Sequence, residues 1–345
     1  MKRWGSGCTG DWEPMRQPSR GYSRGRPAGY RGRRGIGLPG GRLGIIIIAL
    51  LGLAVYWMTN QKTVPFTGRK QLNTIGLGDE IKLGYQSYAQ ILGQEGGNVL
   101  CTQQARSCST GERDVVRNVN EIGLRLQAAA KQLEGELLDQ GYQFTPVADK
   151  FQWEFNVIHS QQPNAFCLPG GYVAVYTGIL DITGNFDGDV TLQDIDDPKD
   201  RDRLAVVMGH EIGHALAHHG AERMSQQRVM QMGQMAVGVG LGDMGAAQQR
   251  AIMQAFGMAA QGTILKFSRE HETEADKIGL ELLVRACYDP REAPLLWERM
   301  SKMSEGKAPP EWMSTHPASS TRAENFRRWM PAAIAEYEAN CGPLR

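Results

Sequence analysis

His210-Glu211-Ile212-Gly213-His214 is the stretch from which the rest of this chain can be read. On a helix, residues four apart lie one turn from each other on the same face, so both imidazoles can reach one ion. Glu211 stands beside the first imidazole. A bound zinc lowers the pKa of a water to about 7, and an adjacent carboxylate can take that water's proton as it attacks a peptide carbonyl. Val206, Val207, Met208, Ile212 and Leu216 flank the motif with apolar surface, as a buried active-site helix requires. A zinc site with only a structural role would have no use for Glu211.

A catalytic zinc keeps three protein ligands and one position for water. A third histidine in the pattern HExxHxxGxxH is excluded, because position 217 is Ala217 and position 220 is Gly220. His218 and His219 fall at the end of the same expected helix and read as surface residues. The run Glu270-His271-Glu272-Thr273-Glu274-Ala275-Asp276 is the other source of ligands. Glu272 and Asp276 share a helical face there, so one can bind the metal while the other supports a ligand histidine.

Outward from these motifs, Asp200 or Asp202 is expected to cap a helix running through about His219 and stopping at Gly220. Apolar residues at helical spacing predict further helices over 79–92, 113–140 and 269–287. Alternation predicts a strand over 151–158, and a second follows Pro169-Gly170-Gly171 at 172–176. Residues 224–266 are rich in Met, Gly, Ala and Gln, and read as helix packed in the core rather than as a substrate- or membrane-facing surface. There is no internal repeat and no linker dividing two domains. Helices dominate, so the class is α+β.

The amino-terminal end has a different character. Residues 1–42 carry ten Lys/Arg against Asp11 and Glu13, while the remainder sets 28 Lys/Arg against 35 Asp/Glu. A mildly acidic body excludes nucleic acid as the main partner, because phosphate binding needs clustered basic surface. The basic tail is too poor in apolar residues to fold and reads as a solvated flank. LGIIIIALLGLAVYWM at 43–58 is unbroken and apolar, and reads as one uncleaved transmembrane anchor over 43–59. A signal peptide is disfavoured by the long tail before the run and the lack of a small-x-small site after it. Arg24, Arg26, Arg31, Arg33, Arg34 and Arg42 before the span outweigh Lys62, Arg69 and Lys70 after it. That bias predicts a cytoplasmic N-terminus and a body, residues 60–345, outside the cytoplasm, in the periplasm if the source is bacterial. Cys101 with Cys108, and Cys287 with Cys341, are candidate disulfides, and the absence of a CxxC pair argues against a cysteine zinc site.

HEIGH at 210–214 together with SREHETEADKIG at 268–279 resembles the membrane-linked gluzincins of metallopeptidase family forty-eight, and in particular its soluble periplasmic and Oma-like branch. Further matches run through 64–72 (VPFTGRKQL), 164–171 (NAFCLPGG) and the Ser314-Thr315-His316-Pro317 stretch with Arg322, so the resemblance covers roughly 64–330. It implies a zincin-like, mainly helical peptidase domain with a small antiparallel sheet and one catalytic Zn2+. It implies Glu272 as the third ligand beside His210 and His214, Asp276 orienting a ligand histidine, and Glu274 as no ligand. It further implies an edge strand at Gly171, Tyr172, Val173, Ala174 and Val175 that pairs with extended substrate. Asn164 and His316 fall near the zinc, to hold substrate or stabilise the oxyanion. In some relatives the loop bearing the equivalent of His316 covers the metal. Two departures stand out. Cys167 replaces a small or apolar residue, and the acidic insertion 184–202 is long. Asn185, Asp187, Asp189 and Asp196 suggest a calcium loop, but Val190 stands where such a loop needs Gly, so a solvated acidic loop is expected.

The expected activity is therefore an endopeptidase acting on unfolded or damaged membrane and envelope proteins. The competing class is a non-catalytic, chaperone-like protein that holds extended peptides in the same groove.

Overall fold

In chain order the computed structural model runs α1 (Gly41–Thr59), β1 (Gln61–Thr63), β2 (Lys70–Leu72), α2 (Leu77–Glu95), α3 (Thr110–Asp139), β3 (Glu154–Ile158), β4 (Ala165–Leu168), β5 (Tyr172–Tyr176), α4 (Leu180–Thr183), α5 (Pro198–Leu216), α6 (His219–Gly240), α7 (Arg269–Arg285), α8 (Glu292–Met303) and α9 (Ser320–Cys341). It describes residues 41–102, 108–184, 197–240, 245, 250, 269–303, 312, 315–316 and 320–344. The basic tail, most of the acidic insertion and much of 241–268 lie outside the described residues, so the calcium-loop reading does too.

Local chemistry sets the element ends. Ser109 Oγ accepts the Glu112 N–H while the Glu112 carboxylate accepts the Ser109 N–H, a capping box that starts α3. Asp197, rather than Asp200 or Asp202, caps α5, its carboxylate accepting the Lys199 N–H at 2.8 Å with Pro198 in the first turn. The helix expected to continue through His219 ends at Leu216 instead. His218 adopts a left-handed φ of +57°, and α6 restarts at His219. That single residue breaks the helix and turns the chain back across its own last turn.

There are two small sheets: β1 and β2 pair antiparallel, as expected, while the three-stranded sheet is mixed. Its order is β3-β5-β4, with β5 parallel to β3 and antiparallel to β4. The chain leaves β3, crosses to form β4, and returns through Pro169-Gly170-Gly171 into the gap between them. Both glycines hold positive φ, and a Cβ on Gly170 would lie 2.6 Å from the Tyr172 ring. The strand at Tyr172, Val173, Ala174 and Val175, introduced by Gly171, is therefore the central strand and not an edge. It is paired on both sides, and its side chains are buried.

β4 is the strand beside the motif helix. α5 is enclosed by β4, α3, α7 and α8, with Leu204, Val207, Met208 and Ile212 wholly buried. It crosses α7 at backbone distance. A Cβ on Gly213 would come within 2.8 Å of the Ala275 carbonyl oxygen, and one on Gly279 within 3.0 Å of the His210 nitrogen. Small residues at this crossing bring the two sequence motifs face to face.

Cys287 is bridged to Cys341, tying the end of α7 to the end of α9, and Cys101 is bridged to Cys108. Of the Met-rich stretch, α6 belongs to the described residues and leaves Met235 64% exposed, so that part is not wholly core. Among the described residues no helix is long and apolar enough to cross a membrane. α1 carries the apolar run, with Ile47, Ile48, Leu50, Leu51, Val55 and Met58 exposed.

Candidate active site

Two imidazoles from α5 and one carboxylate from α7 converge where these helices cross. His214 Nε2 lies 3.1 Å from His210 Nε2 and 3.5 Å from Glu272 Oε1, and His210 Nε2 lies 3.5 Å from Glu272 Oε2. His316 completes the group, its Nδ1 3.2 Å from His210 Nε2 and 3.1 Å from Glu272 Oε1. One donor atom from each of these four residues lies within 4.8 Å of all the others, and all four side chains are buried.

Asp276 stands behind this group, one helical turn beyond Glu272. His210 Nδ1 is 3.0 Å from Asp276 Oδ1, the geometry in which a carboxylate fixes the tautomer of a ligand histidine. Arg322, from α9, donates to both Asp276 oxygens at 2.6 Å and to Glu272 Oε2 at 2.8 Å, and its guanidinium stacks 3.5 Å over Trp297. Arg322 carried part of the family resemblance without a role. Here it clamps the two carboxylates into position.

Beyond His214 lies a second chain of contacts. His214 Nδ1 is 2.7 Å from His219 Nδ1, and His219 Nε2 is 2.9 Å from Glu274 Oε2. Glu274 accepts from Arg69 Nε at 2.7 Å and from the Thr67 hydroxyl. Arg69 also pairs with Glu222, which meets His271 Nε2 at 2.9 Å. His219 is therefore wholly buried rather than a surface residue. The turn at His218 that delivers it leaves no periodicity signal in the sequence.

Glu211 faces the cluster from the same helix. Its Oε1 accepts a hydrogen bond from Trp312 Nε1 at 2.6 Å and is 3.6 Å from His316 Nε2. Trp312 is fully buried and stacks on Trp297 and on His316, and its backbone N–H donates to the Pro163 carbonyl. Nothing in the sequence marked this tryptophan. Asn164 follows Pro163 at the start of β4, its carbonyl accepting the Tyr176 N–H. Burial, and then the Glu211 carboxylate, push the Cys167 thiol well up, so it stays protonated beside the site.

The electrostatics fit a cation. Burial alone would lower His210, but its contacts with Asp276 and Glu272 outweigh that and raise it to about 9. Burial would raise Glu272 and Asp276, yet the histidines around the first and Arg322 beside the second hold both below the usual range. Burial pushes His214 down to about 3. Two buried carboxylates thus face one guanidinium, leaving negative charge beside His210 that suits a cation. A divalent metal would meet that charge, and the two-imidazole, one-carboxylate donor set suits zinc.

Paired imidazoles on one helix, a carboxylate on a second and an acid beside the first imidazole form a cluster that could hold a metal ion, the donor pattern of a metallopeptidase. The chain belongs to Peptidase family M48, whose profile matches residues 129–330. It is 30% identical over 293 residues to a mitochondrial metalloendopeptidase OMA1 from Schizosaccharomyces pombe, covering 84% of this chain and 73% of that one. It is 29% identical over 310 residues to the Saccharomyces cerevisiae OMA1, covering 86% and 78%. It is 25% identical over 271 residues to the beta-barrel assembly-enhancing protease of Escherichia coli, covering 77% of this chain and 46% of that protein. The protein is a metalloendopeptidase, and proteins are its substrates.

Proposed function

We propose that the chain is a membrane-anchored zinc endopeptidase of envelope protein quality control. His210, His214 and Glu272 hold the metal, Asp276 orients His210, and Glu211 is the general base. The observation that carries this reading is the convergence of these donors at a buried point next to Glu211. Zinc, when bound, supplies Lewis acidity for a water and for the scissile carbonyl. Glu211 takes the water's proton and returns it to the leaving amine.

Substrate enters along the outer edge of β4. Because the Tyr176 N–H bonds the Asn164 carbonyl, antiparallel alternation directs the N–H and C=O groups of Ala165 and Cys167 away from β5. An extended peptide can pair with them there.

The arrangement is a resting one. His316 Nδ1 lies 3.2 Å from His210 Nε2 and would compete with water for a bound metal, and Trp312 Nε1 donates to the Glu211 carboxylate. We assign both to a restraint that must move before hydrolysis. His316→Ala should therefore increase chelator-sensitive cleavage of unfolded casein. A fall in cleavage would assign His316 to catalysis itself.

We place the membrane anchor in α1: its exposed aliphatic side chains suit lipid, although the described helix falls short of a full apolar span. The two disulfides support an oxidising compartment, with the tail on the cytoplasmic side and the peptidase domain outside it. The names of the relatives, mitochondrial and beta-barrel assembly-enhancing, agree with a role among membrane and envelope proteins.

A further inference from the structure

We propose that His219 is a positioning residue for the metal site, fixing the tautomer of His214 through an imidazole-to-imidazole hydrogen bond that is anchored by Glu274 and Arg69. The inference rests on the zinc reading above. His214 turns Nε2 toward His210 and Glu272, so Nε2 is the nitrogen that must be bare to bind metal. The proton of His214 then belongs on Nδ1, which is 2.7 Å from His219 Nδ1. Two nitrogens at that distance share one proton. His214 donates, His219 accepts, and the single proton of His219 must sit on Nε2. That nitrogen is 2.9 Å from Glu274 Oε2 and donates to it. Glu274 is in turn held by Arg69 Nε at 2.7 Å and by the Thr67 hydroxyl. Every proton in the chain has one place.

The two ligand histidines are thus supported in parallel. His210 is oriented by Asp276, which Arg322 clamps. His214 is oriented by Glu274, which Arg69 clamps, with His219 inserted between ligand and acid. The inserted ring is delivered by the left-handed turn at His218. Arg69 lies in the segment between β1 and β2, where the Val64 carbonyl accepts from Gly68 N–H. This gives Thr67 and Arg69, more than two hundred residues from the HETEAD run, a stake in how zinc is held.

The test is zinc affinity, measured on the full chain in detergent at neutral pH by competition with a chromophoric chelator. His219→Phe keeps the bulk but removes the acceptor, and should weaken zinc binding 10- to 100-fold. His219→Gln offers an amide oxygen to His214 and an amide N–H to Glu274, and should stay within about three-fold of the wild type. Arg69→Met, at a side chain that keeps 18% of its surface exposed, removes the guanidinium from Glu274 and should weaken zinc in the same direction by a smaller factor. Unchanged affinity in His219→Phe, or equal losses in the Phe and Gln variants, overturns the proposal. If His219→Phe does not fold, unchanged affinity in Arg69→Met overturns it alone. A wild-type chain that binds no zinc would instead sink the metal site itself.

Discussion

At the residue scale, Glu272 and Asp276 lie four positions apart on one helix and are given different tasks by their neighbours. Imidazoles surround the first, and Arg322 with His210 Nδ1 engages the second. Sequence spacing put both on one face but left the division of labour to the family resemblance. His219 and Trp312 were illegible for another reason. Each reaches the site through a local turn or a long connection that no periodicity encodes, and a buried histidine after a helix end looks in sequence like an exposed one. Trp312→Phe makes the indole contact measurable. It keeps a stacked ring but deletes the donor to Glu211, so it should raise peptidase activity while the lost hydrogen bond and the small cavity lower stability by about 1–3 kcal/mol. Activity equal to or below wild type in a folded variant would remove Trp312 from the restraint.

At the element scale, the helices were legible and the sheet only partly so. Amphipathic spacing located α2, α3 and α7 to within a few residues, because one buried face imposes a period of its own. Strand order has no such trace. The Tyr172–Tyr176 segment reads equally well as edge or centre, and only the crossing of the chain to β4 puts it in the middle. The α5–α7 crossing gives a test of opposite signs. Gly213→Ala drives a methyl against the Ala275 carbonyl, and should lower stability by about 1–3 kcal/mol and weaken zinc binding despite alanine's better helix propensity. Gly93→Ala, on the exposed side of α2 with nothing within 4 Å, should raise stability by about 0.5–1 kcal/mol. Thermal melts of both in one buffer check the pair. Equal effects would mean the crossing is not packed at backbone distance.

At the scale of the whole molecule, stability should depend on pH through groups outside the metal site as well as within it. Burial, with help from Asp289 and Glu292, raises Asp202 to about 6, although it accepts the Asp289 N–H. A carboxyl raised on folding stabilises the protein fully below its unfolded pKa, near 3.8, and loses that contribution as pH climbs through 6. Asp202→Asn keeps the acceptor without the charge. It should raise the melting temperature at pH 7.5, and the gain should vanish toward pH 4. A gain independent of pH would assign the effect to packing instead. The same scale holds what sequence disclosed most directly: a basic flank, an apolar run and an acidic body, in that order.

A zinc held by His210, His214 and Glu272, with Glu211 as base, can be checked by measuring bound zinc and casein cleavage on the wild-type chain and on Glu211→Gln, with and without chelator. The expected result is one zinc per chain in both proteins, chelator-sensitive cleavage in the wild type, and a loss of about 10²- to 10⁴-fold in the variant. Zinc absent from the wild type, or Glu211→Gln cleaving as fast as the wild type, would contradict it.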